Sequence, residues 1–91
     1  MSHTASSKDQ LIARIRRISG QVAAIERAIA DDDGCSTILH QVAGARGAIN
    51  GLMDELVESH VREHVARPDL TDEQRAAGAE ELITAVRRYA K

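Results

Sequence analysis

The middle third of this chain constrains its fold more than any other segment. From about Cys35 to Val65, apolar residues recur at alternating spacings of four and three, which is the repeat of a helix with one apolar seam. The seam consists of Ile38, Val42, Ala45, Ile49, Leu52 and Leu56. A helix of roughly 30 residues spans about 45 Å. Because a chain of 91 residues is too short to fold against such a helix as a monomer, the pattern predicts pairing with a second chain.

Two polar breaks separate this segment from a helix on either side. The breaks are Asp31–Gly34 and Arg67–Leu70, and the second contains the only proline. The first helix is predicted from about Ser7 to Ala30, and the third begins near Thr71. Ser7 and Thr71 are each followed by a glutamine three positions later, the pattern of a capping box at a helix start.

The predicted fold is all-α, because no segment alternates apolar and polar residues as a strand does. We expect a three-helix protomer in one domain over residues 1–91, with residues 1–6 as a flexible N-terminal arm. The third helix has an apolar side that we predict to be buried, formed by Ala79, Leu82, Val86 and Tyr89.

Three glycines, Gly44, Gly47 and Gly51, lie in the interior of the predicted middle helix. Each costs roughly 1 kcal/mol relative to alanine at such a position. They indicate a close approach of backbones that only small residues allow, or else they divide the segment into two helices. The apolar seam passes through them without a change of phase, which favours one continuous helix.

Composition limits the class of protein. The chain has one tyrosine and no other aromatic residue, so its small core needs a disulfide, a metal or a partner subunit. A single cysteine excludes an internal disulfide and is typical of a reducing compartment. No membrane span and no signal peptide are recognisable, so we expect a cytoplasmic protein. The formal net charge of -2 argues against a general polyanion binder but allows a local basic patch.

Cys35, His60 and His64 form a candidate set of metal ligands. At about 100° per residue they project from one face of the middle helix, and the two histidines have the i, i+4 spacing that clamps one ion. Cys35 lies about 37 Å away along the axis, too far to join that ion within one chain. An antiparallel copy of the helix, paired about a two-fold axis near Ile49, brings Cys35 of one chain beside the histidines of the other.

The ligand chemistry favours particular metals. A helix N-terminus favours the thiolate form of Cys35, and one thiolate with two imidazoles suits nickel, cobalt or zinc. His3 on the N-terminal arm, with the amine and amide of Ser2, would raise the coordination number toward six and favour nickel or cobalt. The alternative is that Cys35 is an inert core residue and that the histidines are surface residues paired by chance.

A candidate nucleic-acid surface lies on the first helix. Arg14, Arg17 and Gln21 share one face, and Arg46 is the only basic residue of the middle helix before Arg62. A symmetric dimer or tetramer would repeat this patch against phosphates and base edges of double-stranded DNA. The alternative is a solvated helix face without a partner.

The sequence resembles the CsoR/RcnR family of bacterial metal- and aldehyde-responsive repressors over nearly its whole length. Four segments carry the resemblance: Arg14–Val22, Cys35–Leu39, Ala45–Met53 and Glu58–His64. It implies a three-helix protomer, an antiparallel four-helix-bundle dimer and a homotetramer built from two dimers. It also implies a repressor and not an enzyme. The ligand-free form would bind operator DNA, the ligand-bound form would release that DNA, and the gene controlled in this way would encode a metal exporter.

The ligand positions resemble one branch of the family. His3, Cys35, His60 and His64 match the nickel- and cobalt-sensing RcnR branch, whereas copper-sensing members have a second cysteine in place of His64. The formaldehyde-sensing FrmR branch is the alternative, with Cys35 and the N-terminal amine as the reactive groups. The resemblance also implies that Arg14, Arg17, Gln21 and Arg46 contact DNA.

Overall fold

The computed structural model describes residues 5–89, and the side chains of residues 7–89. It contains three helices, α1 (Ala5–Ala30), α2 (Cys35–His64) and α3 (Asp72–Tyr89). No strand occurs within residues 5–89, which confirms the all-α prediction. No helix in this range is both long and apolar enough to cross a membrane.

Helix α1 begins earlier than predicted. It already includes Ala5, so Ser7 lies inside the first turns and not at the N-cap where the capping-box pattern placed it. Ala5 and Ser6, assigned to the N-terminal arm from the sequence, are helical, and residues 1–4 of that arm lie outside the described residues.

The end of α1 is closed by a Schellman motif that has aspartate where glycine is usual. Asp32 has a φ of 56°, in the left-handed region. Its amide donates to the Ile29 carbonyl at 3.1 Å, and the Asp33 amide donates to the Ala28 carbonyl at 2.9 Å. These two bonds satisfy carbonyls that the end of the helix leaves without partners.

Helix α2 is continuous for 30 residues, so its interior glycines do not divide it. It begins directly after Gly34, whose carbonyl accepts the first helical hydrogen bond from the Ile38 amide at 3.1 Å. The predicted capping box of α3 is present. The Thr71 amide donates to the Gln74 side chain at 2.9 Å, and the Gln74 amide donates to the Thr71 hydroxyl at 3.1 Å.

The chain forms two compact parts, and the first comprises Ala5–Met53. Its buried apolar residues are Ile18, Ala28 and Ala45. The apolar seam of α2 is only partly covered, since Ile38 and Leu52 are half-buried while Val42, Ile49 and Leu56 are exposed. A large part of the apolar surface of the helices therefore remains in contact with solvent in one chain.

The second compact part contains the end of α2, the connecting loop and α3. Gly78 is buried where α3 packs on the end of α2. The Arg75 guanidinium also joins α3 to the loop that follows α2, because it donates to the carbonyls of Val65, Arg67 and Leu70. The prediction for the outer end of α3 is wrong: Val86 and Tyr89 are 45% and 65% exposed. Ala79 and Leu82, nearer the start of α3, are half-buried.

Candidate functional site

His60 and His64 lie side by side near the C-terminal end of α2. Both are half-buried, and their ring centroids are 4.9 Å apart with planes inclined by 44°. This is the pairing that the i, i+4 spacing predicts, because residues four apart project from the same helix face. The two imidazoles can therefore face a common ion.

Helix α3 fixes the orientation of the His60 ring. The His60 Nε2 lies 2.9 Å from the Gly78 carbonyl oxygen, and since a carbonyl can only accept, Nε2 carries the hydrogen. A Glu81 carboxylate oxygen lies 3.9 Å from the same nitrogen. In the neutral ring this arrangement leaves the lone pair on Nδ1, which is then free to bind a metal. A histidine that donates its second ring N–H to a carbonyl or carboxylate is the common arrangement in metal sites.

Two carboxylates of α2 near the histidines are engaged with arginines. Glu58 pairs with Arg62, and Glu63 lies 3.6 Å from Arg67. The Arg67 guanidinium also donates to Asp69 at 2.7 Å, and this hydrogen bond holds the pKa of the Asp69 carboxyl below its usual value. These ion pairs lie at the end of α2 and in the loop that follows it.

One chain does not complete a metal site within the described residues. No three His, Cys, Asp or Glu side chains come together there in a way that would hold an ion. Cys35 is a free, exposed thiol at the first residue of α2. His3, the fourth predicted ligand, lies outside the described residues. Within the described residues, the two imidazoles are therefore not joined by a third side chain that would complete a metal site.

The predicted DNA-binding residues all belong to the first compact part. Arg17 and Arg46 are exposed and Arg14 is half-buried. Gln21 is half-buried as well, and its side-chain oxygen is shielded from solvent without a hydrogen-bond partner among the described residues. The structure therefore presents guanidinium groups to solvent, while the Gln21 oxygen points into the protein.

The surroundings of these residues are basic. Lys8 and Arg16 of α1 are exposed too, and Asp9 is the only acidic residue between positions 5 and 25. A negative net charge is thus compatible with a positive α1 surface, since the acidic residues concentrate elsewhere, as in Asp31–Asp33 and in the last third of the chain.

The sequence interpretation missed the residues of α3 that contact the histidines. Gly78 allows the backbones of α3 and α2 to meet, because a Cβ at this position would overlap the carbonyl group of His64. The available indication was a glycine in the interior of a predicted helix, the same feature that drew attention to the middle helix. In the middle helix, a Cβ added at Gly44 or Gly47 would have no described atom within 4 Å outside its own helix, and one added at Gly51 would meet only the Arg14 side chain.

Known proteins resemble the chain over most or all of its length. The family described as "Metal-sensitive transcriptional repressor" matches residues 7–88. An uncharacterized protein encoded in the bioA 5' region of Serratia marcescens is 50% identical over 91 residues, covering 100% of both chains. A homolog of the transcriptional repressor RcnR from Escherichia coli O139:H28 is 43% identical over 65 residues, covering 71% of this chain and 72% of that protein.

A solved structure is similar as well. The E64H variant of the formaldehyde-responsive regulator FrmR from Salmonella enterica serovar Typhimurium is 42% identical, with a TM-score of 0.89. The match covers 96% of this chain and 98% of that one. Proteins of the matched family are regulators of transcription rather than enzymes. By its sequence and by its three-helix fold, the chain belongs to the family of metal-sensitive transcriptional repressors, the CsoR/RcnR family.

Proposed function

We propose that this protein is a nickel- or cobalt-responsive repressor whose metal site forms between two chains. The ligand-free protein binds operator DNA, and metal binding at Cys35, His60 and His64 releases it. The exposed apolar face of α2 carries this proposal, because its symmetry pairs Cys35 of one chain with His60 of another.

This face, here called the α2 stripe, is a palindrome of spacings. Its members follow one another at intervals of three, four, three, four and three: Leu39, Val42, Arg46, Ile49, Met53 and Leu56. All of them are exposed in the single chain. Apolar residues at this spacing form the contact face of paired helices, and burial of the stripe in a dimer removes it from water.

Antiparallel pairing about the peptide bond between Gly47 and Ala48 matches every member of the stripe with another member. Arg46 then lies opposite Ile49, and its long stem can cover apolar surface while its guanidinium reaches the rim. Continued by four residues at each end, the same register places Cys35 opposite His60. The burial of the stripe and the assembly of the ligands thus require one and the same dimer.

The ligand set favours a borderline divalent metal. One thiolate and two imidazoles suit nickel, cobalt or zinc, and copper(I) would prefer a second thiolate. His3 of the N-terminal arm is the proposed further ligand, which favours the higher coordination numbers of nickel and cobalt over tetrahedral zinc. The site occurs twice in a two-fold dimer, and two dimers make the proposed homotetramer.

Release of DNA follows from coupling between the two sites. Metal draws Cys35 of one chain and the opposing His60 and His64 into one coordination sphere. This shifts the α1 helices, which carry Arg14, Arg17 and Gln21. With Arg46, these residues are the proposed DNA contacts, and their misalignment weakens binding of the double-stranded operator. Linkage requires DNA to weaken metal binding by the same factor. We place the protein in the cytoplasm, where it controls a metal-efflux gene.

The test is a titration of cobalt(II) into reduced protein, followed by visible and near-ultraviolet absorption. We expect a thiolate-to-cobalt band that saturates at one ion per chain and is absent in Cys35→Ala. His40→Ala is the matched control, because His40 is an exposed histidine of the same helix outside the proposed ligand set. Absence of the band in the unaltered protein would contradict the proposal.

Mixing of two defective chains tests the location of the site. Cys35→Ala chains and chains with both His60→Ala and His64→Ala lack the band by themselves. A mixed two-fold dimer contains one intact site, so equal mixing restores about one quarter of the original intensity per chain. A site within one chain would give no recovery.

The likeness to FrmR favours formaldehyde as a second candidate ligand. The Cys35 thiol and the N-terminal amine of another chain would condense with formaldehyde to a methylene bridge and release one water. His64 has no part in that chemistry, whereas the name of the FrmR variant records a histidine introduced in place of a glutamate. His64→Ala separates the two candidates, because a formaldehyde response should survive this substitution whereas a nickel response should be lost. An unaltered protein that responds to formaldehyde and not to nickel, with the response kept in His64→Ala, would assign the protein to aldehyde sensing.

A further inference from the structure

Arg14 lies directly against the backbone of α2 at Gly51. A Cβ added at residue 51 would be 2.7 Å from the Arg14 Nη1 and 3.6 Å from its Cζ. Both residues belong to the compact part formed by Ala5–Met53. The guanidinium therefore occupies the space that any side chain at position 51 would fill. This contact leaves the charged Arg14 side chain half-buried.

We propose that Gly51 is a positioning residue that holds the Arg14 guanidinium in the place from which it contacts DNA phosphate. The inference rests on the proposed DNA-binding function of Arg14. An arginine side chain loses rotamer freedom when it binds, and a guanidinium already held against α2 has lost part of that freedom before DNA arrives. Such preorganisation strengthens binding without any new contact.

A Cβ at Gly51 meets the Arg14 side chain and no other group outside its own helix. The atoms within 4 Å of the added Cβ belong to the far end of the Arg14 side chain, which can swing away. The fold is therefore preserved, and α2 gains helix propensity from alanine. Gly44 is the natural control, because it lies two helical turns earlier on the same face and its added Cβ meets no described atom.

The experiment measures affinity for the duplex that the unaltered protein selects from a random-sequence DNA library. Fluorescence anisotropy is recorded for Gly51→Ala, Gly44→Ala, Arg14→Ala and the double variant Arg14→Ala with Gly51→Ala. We expect Gly51→Ala to weaken binding roughly two- to tenfold, the range for one immobilised long side chain, and Gly44→Ala to leave it unchanged. In the Arg14→Ala background the second substitution should have no further effect.

The outcomes separate this inference from the function on which it rests. Arg14→Ala with full affinity would refute Arg14 as a DNA contact and both ideas with it. Weak binding by Arg14→Ala together with full affinity of Gly51→Ala would overturn the positioning role alone. So would an undiminished effect of Gly51→Ala in the Arg14→Ala background, or an equal loss in Gly44→Ala. Circular dichroism and thermal melting check the fold, and a lower melting temperature for Gly51→Ala would likewise overturn the inference.

Discussion

Replacement of Gly78 by alanine tests how α3 is held against the end of α2. A Cβ at residue 78 would lie 2.8 Å from the His64 carbonyl carbon and 2.9 Å from the His64 Cβ, and still closer to the carbonyl oxygen. Ordinary van der Waals contact begins at 3.4 Å. The carbonyl carbon alone requires the two helices to separate by about 0.6 Å, and the nearer carbonyl oxygen requires more, because backbone atoms cannot swing aside as the end of a side chain can.

The cost of this separation follows from its parts. Overpacking costs about 1–3 kcal/mol, and the hydrogen bond from His60 Nε2 to the Gly78 carbonyl contributes about 1 kcal/mol more. That bond measures 2.9 Å, and the displacement stretches it to about 3.5 Å, beyond the usual range. The higher helix propensity of alanine offsets about 0.5–1 kcal/mol of this loss. The net loss is about 2 kcal/mol, which lowers the Tm of a domain of this size by about 8–16 °C.

Thermal melting by circular dichroism, at one fixed protein concentration, measures this loss. Gly44→Ala is the control, because it makes the same chemical change in open space and should melt at or slightly above the temperature of the unaltered protein. A Gly78→Ala protein as stable as Gly44→Ala would refute the close approach of the helices. If His60 also binds metal, Gly78→Ala should weaken cobalt binding about 10- to 100-fold, since the ring loses the partner that orients it.

Three further predictions concern stability. Asp32→Gly should raise the free energy of unfolding by about 0.5–1 kcal/mol in urea titrations, because glycine adopts the positive φ at less cost; Asp33→Gly, whose φ is not positive, should give no gain. Thr71→Ala should lower the free energy of unfolding by about 1 kcal/mol through loss of the α3 cap, and Thr71→Ser should keep most of that stability because its hydroxyl can accept the same hydrogen bond. The lowered pKa of Asp69 means that its hydrogen bond with Arg67 adds stability above the unfolded pKa, which is lost as the pH falls through the folded pKa. Asp69→Asn should therefore flatten acid unfolding monitored below about pH 4, and an unchanged acid limb would show that the hydrogen bond adds nothing.

The helices were predictable because the determinants of their boundaries are local. The polar breaks and the cap at Thr71 predicted the start and end of α2 and the start of α3 to within one residue. The end of α1 is a Schellman motif on Asp32, and its position was predictable although its geometry was not, because aspartate seldom takes the place of glycine there. The start of α1 was placed too late, since a serine followed by glutamine also occurs inside helices.

What covers each apolar face was harder to predict. Periodicity shows which side of a helix is apolar, but it does not show whether that side meets its own chain or another one. Val86 and Tyr89 were expected in the core and are exposed. The pairing of His60 with His64 was predictable from spacing alone, whereas the contact between His60 and Gly78 depends on how α3 returns across α2. Such a contact between distant residues has no local pattern.

The bonds of Arg75 have a consequence for the motions of the protein. One guanidinium satisfies three carbonyls of the loop, the first of them directly after α2, so unfolding of α3 leaves those carbonyls without partners. We therefore expect α3 and the last turn of α2 to open together, as one cooperative unit in native-state hydrogen exchange. His64 belongs to this unit and His60 lies one turn before it, so an ion bound to both histidines would slow the exchange of α3 amides that it never touches.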